Sequence, residues 1–459
     1  MLAFLAPGSP ATLSFLVVCL VLALAFEFSN GFHDTANAVA TVIYTHSLKP
    51  IPAVIWSGLM NFLGVILGGI AVAYALVELI PADVLSPPNG GIAVGMLAAL
   101  FLTALFWNIG TWWLGLPNSS SHALIGALVG ISVENALTHG RGLHEGVDWH
   151  QIWSVLASLL VSPILGFAGA LLLFQLIKHL LHDKALFEPP KEDKPPVWWM
   201  RGILILTCTG VSFAHGTNDG QKSIGLIMLT IIGLLPATYA LNTTMTTEQV
   251  AHDGQAMATA AGLIGRYGDD QKELGVTAAQ HIGQVFGQTK QASDIPDRER
   301  PAIRNDLNRV MSELKTVEEA KGISEDDKKQ AKSIHEDLMH SVQYAPWWVR
   351  VLSALCLGAG TMIGYKRIVT TLGERLGNQH LAPAQGAAAE LVAATLIGGA
   401  GLSGFPVSTT HVVTGGITGT MVGSGAGIQR TTLWQIGAAW VLTLPATVAL
   451  SAGLFYILS

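Results

Sequence analysis

Charge is what this sequence has least of. Only 12% of its 459 residues are charged, while 50% are hydrophobic. Soluble domains carry about 25% charged residues, so an ordinary soluble enzyme is excluded. The shortage is also uneven. Residues 241–345 hold 17 acidic and 12 basic side chains, 29 of the 56 charges, and the other 354 residues share 27. That split points to two solvents, with a body in lipid and one insert in water. Cysteine is scarce as well. Cys19, Cys208 and Cys356 each lie in an apolar run, which suits small core residues and argues against a disulfide framework or a metal set. No basic stripe marks a nucleic-acid surface, and five of the six units of net negative charge come from 241–345. No Lys or Arg precedes Lys49, so the basic flank of a cleaved signal peptide is missing and the first apolar segment is expected to stay.

What is present is a series of charge-free runs. They cover 11–26, 51–77, 84–133, 151–177, 202–218, 223–247, 351–365, 376–389, 391–429 and 431–459. A spanning helix needs roughly 20 mostly apolar residues, so the runs predict about ten spanning or re-entrant segments. Short motifs repeat among them. Asn30-Gly31-Phe32-His33-Asp34 returns as His215-Gly216-Thr217-Asn218-Asp219, and Pro117-Asn118-Ser119-Ser120-Ser121-His122 returns as Pro406-Val407-Ser408-Thr409-Thr410-His411. Asp34 and His122 are 88 residues apart, Asp219 and His411 192. The excess of 104 nearly matches the charged stretch, so removing it brings two halves into register. The expected organisation is a first membrane repeat over 11–180, a loop over 181–200, a second repeat over 201–240 and 346–459, and a soluble helical insert over 241–345. Within the insert, Ile303, Leu307, Met311, Leu314 and Val317 recur at helical spacing, which predicts an amphipathic helix over 300–321 and a second through Ile334 and Leu338. Gly and Pro around the motifs predict broken or re-entrant helices, which membranes tolerate only where the backbone lines an enclosed cavity. Interrupted segments at matching places in two halves point to a transporter site. The fold class is therefore all-α integral membrane, with an inverted repeat if the first half has an odd number of spans.

Asp34 and Asp219 stand at matching positions in apolar surroundings, with Lys222 one helical turn beyond Asp219. Ionisable residues inside a membrane are costly and mark function. Ser119, Ser120 and Ser121 mirror Ser408, Thr409 and Thr410. Each trio follows a proline and opens a helix rich in small residues, and a helix N-terminus lined with hydroxyls suits an oxyanion. Such an anion beside two aspartates would meet repulsion of several kcal/mol per close pair at an effective dielectric of about 20. Cations must travel with it, or protons must neutralise the carboxylates. Lys222 supplies one built-in positive charge, His33, His122, His215 and His411 titrate near neutrality, and Glu390, alone among 376–429, is a further proton or cation carrier. No His-x-x-x-His or cysteine cluster accompanies the histidines, so no dedicated metal site is expected.

With those residues in view, the chain resembles the inorganic phosphate transporter family, in particular its bacterial low-affinity Pit-type permeases. Gly31-Phe32-His33-Asp34-Thr35-Ala36-Asn37-Ala38 and Gly216-Thr217-Asn218-Asp219-Gly220-Gln221-Lys222 are similar to its duplicated Gly-x-Asn-Asp-x-x-Asn signature, and the Pro-x-Ser-Ser/Thr-Ser/Thr-His pair to its second motif. The resemblance implies an inverted-repeat fold, phosphate bound near the midplane, transport driven by a cation gradient and a cytoplasmic central loop. It also implies that Ser119, Ser120, Ser408 and Thr409 contact phosphate, with Ser121 and Thr410 beside them, and that Asp34, Asn37 and Asp219 hold the coupling cation or order the site. The chemistry of this chain's own residues adds Asn37, Gln221 and Lys222 to the expected substrate set and His33, Asn218 and Glu390 to the expected coupling set. His33 replaces the signature's first Asn, and Gln221-Lys222 replace Ala-Asn. An ammonium at Lys222 would take the space of a sodium ion, which favours proton symport. The expected protein imports inorganic phosphate, free or as a neutral complex with a divalent metal, and sits as a multi-pass protein in a bacterial inner membrane without a resident cofactor. Homo-oligomerisation stays open. Two alternatives are a sulfate permease of the same fold and a polytopic enzyme acting on a lipid phosphate.

Overall fold

The computed structural model describes residues 9–77, 79–80, 94–140, 142, 149–190, 194–269 and 271–458. The start of the run 84–133 lies outside them. The described residues are helical throughout, apart from turns and one isolated bridge between Gly377 and Ile428. Among the described residues the α-helices of five residues or more are, in chain order, α1 (Pro10–Tyr44), α2 (Pro50–Leu67), α3 (Ala71–Val77), α4 (Val94–Trp113), α5 (Ser120–Thr138), α6 (Trp149–Leu180), α7 (Trp198–Leu234), α8 (Thr247–Tyr267), α9 (Lys272–Gln288), α10 (Arg300–Glu319), α11 (Glu325–Val342), α12 (Trp347–Met362), α13 (Lys366–Thr370), α14 (Pro383–Leu402), α15 (Thr409–Ser424) and α16 (Arg430–Leu458).

Two units divide the chain, residues 1–230 with 346–459, and residues 231–345. In the first, α1, α2, α4, α6, α14 and α16 are each long and apolar enough to cross a membrane. Trp347–Met362 and Lys366–Arg375 together make a seventh, bent by 54°. This falls short of the ten segments expected, partly because the run 202–218 and the first part of the run 223–247, as far as Leu234, form one continuous helix, α7. Large apolar side chains face outward on these helices, among them Val17 and Val21 on α1, Leu160 and Leu172 on α6, and Val441 and Leu442 on α16. Lipid, not water, suits such a surface.

The first duplicated motif does not break its helices. Helix α1 runs unbroken through Asn30–Asp34, and α7 through His215–Asp219. Their glycines serve close approach instead. A Cβ on Gly31 would lie 2.8 Å from the backbone nitrogen of Thr361 on α12, and one on Gly216 would lie 3.0 Å from the Cα of Asn61 on α2. Small residues let backbones touch in this way where lipid offers no hydrophobic drive between helices. The second motif does interrupt the chain. Ser119 and Ser408 are extended N-cap residues opening α5 and α15. The packing is reciprocal between the halves: α1 lies on α12 and α7 on α2, while α5 lies on α16 and α15 on α6.

The second unit has a core of its own. Thr246 and Gln249 close a capping box at the start of α8. Helix α10 buries Ile303, Leu307, Met311, Leu314 and Val317, and α11 buries Ile334 and Leu338. These join Val250, Leu263, Ile282 and Phe286 from α8 and α9 in one apolar cluster.

Candidate functional site

Helices α5 and α15 begin against each other, with the rings of His122 and His411 4.6 Å apart. Ser119 Oγ accepts from the backbone N–H of His122 (3.2 Å), and Ser408 Oγ from that of His411 (3.3 Å). These two hydroxyls act as helix caps. The next positions turn inward. Thr410 Oγ1 donates to Asp34 Oδ1 (2.6 Å) and Thr409 Oγ1 to Asp34 Oδ2 (3.1 Å). Asn37 Nδ2, one turn along α1 from Asp34, donates to Thr410 Oγ1 (3.2 Å).

The mirror arrangement runs through a lysine. Lys222 Nζ donates to Asp219 Oδ1 (2.6 Å) and to Ser121 Oγ (2.5 Å), with the carbonyl of Val407 at 3.4 Å. Each aspartate thus faces the hydroxyl-bearing helix start of the other half, directly for Asp34 and through an ammonium for Asp219. Both aspartates and Lys222 are almost wholly out of water. A buried pair of this kind holds only while each charge keeps its partner.

His215 joins the two aspartates. Its Nε2 lies 3.5 Å from Asp34 Oδ2 and 3.5 Å from Asp219 Oδ2, while Nδ1 lies 2.8 Å from Asn61 Oδ1. With Nδ1 donating to the Asn61 carbonyl, a neutral ring would aim a lone pair at two carboxylates. Only a proton on Nε2 or a cation between the three groups removes that conflict. One ligand atom from each of Asp34, His215 and Asp219 lies within 4.8 Å of the others, a spacing that admits a small cation. Sequence spacing could not reveal this trio, because its members come from α1 and α7. Asn30, which occupies His215's place in the first motif, donates to Asp219 Oδ2 at 3.4 Å. The duplication had already aligned Asn30 with His215, and that was the available signal for both; Asn61 lies outside either motif and had none.

The remaining expected residues divide. His33 is buried beside Asp34, its Nδ1 3.7 Å from Oδ1 and its Nε2 3.4 Å from Thr111 Oγ1. Ser120 Oγ, Asn37 Oδ1 and Asn218 Oδ1 are buried without a hydrogen-bond partner, and Asn218 Nδ2 donates to the Phe405 carbonyl (3.3 Å). Gln221 stands apart from the cluster. Its Oε1 accepts from Val72 N (2.8 Å) and its Nε2 donates to the carbonyls of Thr217 (2.6 Å) and Gly401 (3.2 Å), so it ties backbone segments together. Glu390 is elsewhere too, accepting from Thr41 of α1 and from Thr207 of α7 (2.6 Å).

Comparison with known proteins decides the lineage. The model of the Phosphate transporter family matches residues 30–451. The chain belongs to the phosphate transporter family. It is similar to the low-affinity inorganic phosphate transporters PitA and PitB of Escherichia coli (strain K12), with 39% and 36% identity over 96% of each chain. A low-affinity inorganic phosphate transporter of Buchnera aphidicola subsp. Acyrthosiphon pisum (strain APS) is 36% identical, again over 96% of both chains. A solved structure described as the sodium-dependent phosphate transporter shares the fold, with a TM-score of 0.54 and 18% identity over 97% of this chain and 99% of the other. This phosphate transporter family member is a multi-pass membrane transporter and not an enzyme.

Proposed function

We propose that the protein carries inorganic phosphate across the membrane by symport with a cation, and that this cation is a proton. The observation that carries the reading is the pair of helix starts meeting over two buried aspartates. The N–H groups of α5 and α15, the free hydroxyl of Ser120 and the ammonium of Lys222 form a set of donors for a tetrahedral anion. Ser121, Thr409 and Thr410 stand beside them and are held by Lys222 and Asp34, so phosphate competes for hydroxyls that are already hydrogen-bonded. Binding of that kind is reversible, as a carrier requires.

Asp34, Asp219, His33 and His215 supply the coupling groups, with Asn218 beside them. A proton shared among them offsets the charge that phosphate brings. Lys222 Nζ, 2.6 Å from Asp219, places a fixed positive charge where a sodium ion would otherwise balance the carboxylate, and this favours protons over sodium. The trio Asp34, His215 and Asp219 also suits the metal of a neutral metal–phosphate complex, in which case the metal is cargo. The reciprocal packing of α1 on α12 and α7 on α2 supports an inverted repeat, and the separate core of 231–345 supports a water-exposed insert.

The test is uptake of labelled phosphate by proteoliposomes under one gradient at a time. An inward proton gradient should drive accumulation and a sodium gradient alone should not. Accumulation under sodium alone would overturn the proton assignment, and uptake blocked by equimolar sulfate would shift the substrate to that anion.

A further inference from the structure

Phosphate differs from sulfate at neutral pH by a proton. Both are tetrahedral oxyanions of similar size, but phosphate keeps at least one P–OH group and sulfate keeps none. A set made only of donors binds either anion, so a preference for phosphate needs an acceptor. Asn37 of α1 offers one. The residue is 2% exposed, and its Oδ1 is buried without a hydrogen-bond partner. A buried carbonyl in that state is unfavourable unless something donates to it.

The orientation of this amide follows from a chain of hydrogen bonds. Asp34, as a carboxylate, can only accept. The single hydroxyl proton of Thr410 therefore goes to Asp34 Oδ1, at 2.6 Å. The Thr410 oxygen is left to accept, and the atom of Asn37 that faces it at 3.2 Å is the amino nitrogen, Nδ2. Oδ1, bonded to the same carbon as Nδ2, is thereby fixed as an acceptor beside the opening turn of α15. Unlike the Asp34 carboxylate it is neutral, so it meets an anion without the repulsion between like charges. Asn218 Oδ1 is also unpartnered, but that amide is tied to the Phe405 carbonyl and not to the hydroxyl trio.

We propose that Asn37 determines the preference for phosphate over sulfate, its Oδ1 accepting a hydrogen bond from the P–OH of the bound anion. The inference rests on the reading of phosphate as substrate and is independent of the coupling ion. The donors are those already at the site: the Ser120 hydroxyl, the Lys222 ammonium and the N–H groups that open α5 and α15. They take the unprotonated oxygens of the anion, and the protonated one turns to Asn37. Sulfate in the same place sets a bare oxygen against a bare carbonyl, two acceptors with no proton between them. A site built to bond a substrate hydroxyl rejects the analogue that lacks it by as much as about 10⁴-fold. The proton stays on the phosphate, and no covalent bond changes. Arsenate keeps an As–OH at neutral pH and is accepted on the same grounds.

The experiment uses the full-length protein in proteoliposomes at neutral pH, with the same salt and pH on both sides. Counterflow of labelled against unlabelled inorganic phosphate is measured with sulfate or arsenate as competitor. The readout is the half-inhibiting sulfate concentration divided by that of arsenate. Wild type should be inhibited by arsenate and hardly by sulfate. In Asn37→Leu, close in size and without an acceptor, the ratio should fall about tenfold or more. A purely structural loss weakens both anions together and leaves the ratio unchanged; that result overturns the inference while phosphate remains the substrate. An unchanged ratio with an altered dependence of uptake on protons or sodium also overturns it, and gives the carbonyl to the cation. Wild type inhibited equally by sulfate and arsenate overturns the phosphate reading, and the inference with it. Should Asn37→Leu lose counterflow, Asn37→Ser is compared with wild type by the thermal stabilisation that each anion confers in detergent. The serine hydroxyl can donate to sulfate, so the preference should fall there too, and an unchanged preference overturns the proposal.

Discussion

Lys222 shows how much one side chain can carry in a low-dielectric interior. Its ammonium holds an aspartate of its own helix and a serine of the opposite half at once. Lys222→Ala leaves Asp219 charged, buried and without its cation, a change that typically costs about 3–5 kcal/mol. The expected outcome is a marked drop in thermal stability in detergent together with loss of phosphate uptake. The double variant Lys222→Ala with Asp219→Asn should recover much of the stability but none of the uptake, since it removes the stranded charge without restoring the donor. Thermal unfolding of the four proteins of that cycle checks the claim. His215 teaches a different lesson. The duplicated motif and its titration range marked it as a candidate, but only the packing of α1 and α7 puts its ring between both aspartates.

At the scale of elements, glycine in the first motif belongs to packing. Gly31 and Gly216 lie inside unbroken helices, where glycine is ordinarily about 1 kcal/mol worse than alanine. That weakness is accepted because a methyl group would strike the neighbouring backbone of α12 or α2. Gly31→Ala and Gly216→Ala should therefore lower the yield of monodisperse protein, although alanine is the better helix former. Gly110→Ala on α4 and Gly202→Ala on α7 meet nothing within 4 Å, and they should leave yield unchanged or raise it. Size-exclusion profiles of the four variants separate the two expectations. The helix interruption expected at this motif failed for the same reason. Glycine content alone does not distinguish a bend from a close approach.

For the molecule as a whole, two units with separate cores invite separate tests. The polypeptide 241–345, produced alone, should fold as a helical domain with cooperative unfolding, because its apolar cluster closes on itself. Within it, burial pushes the Asp253 carboxyl above its ordinary value, partly opposed by the Ser341 hydroxyl that donates to it at 2.8 Å. An acid whose folded pKa is raised binds protons more tightly when folded, so its contribution is fully present at low pH and fades as pH rises through the raised value. Asp253→Asn should then raise the melting temperature of the domain at pH 7 and change it little at low pH, as circular dichroism would record. The sequence by itself determined the lipid-embedded class, the duplication, the charged stretch and the pairing of Asp34 with Asp219, because solvent partition and repeated motifs are written in local order. Only the tertiary structure decided that Lys222 spans the two halves, that His215 joins the aspartates, and that Gln221 and Glu390 stand outside the cluster. Those are distances between helices far apart in the chain, and contact across such separations depends on packing, which no linear spacing encodes.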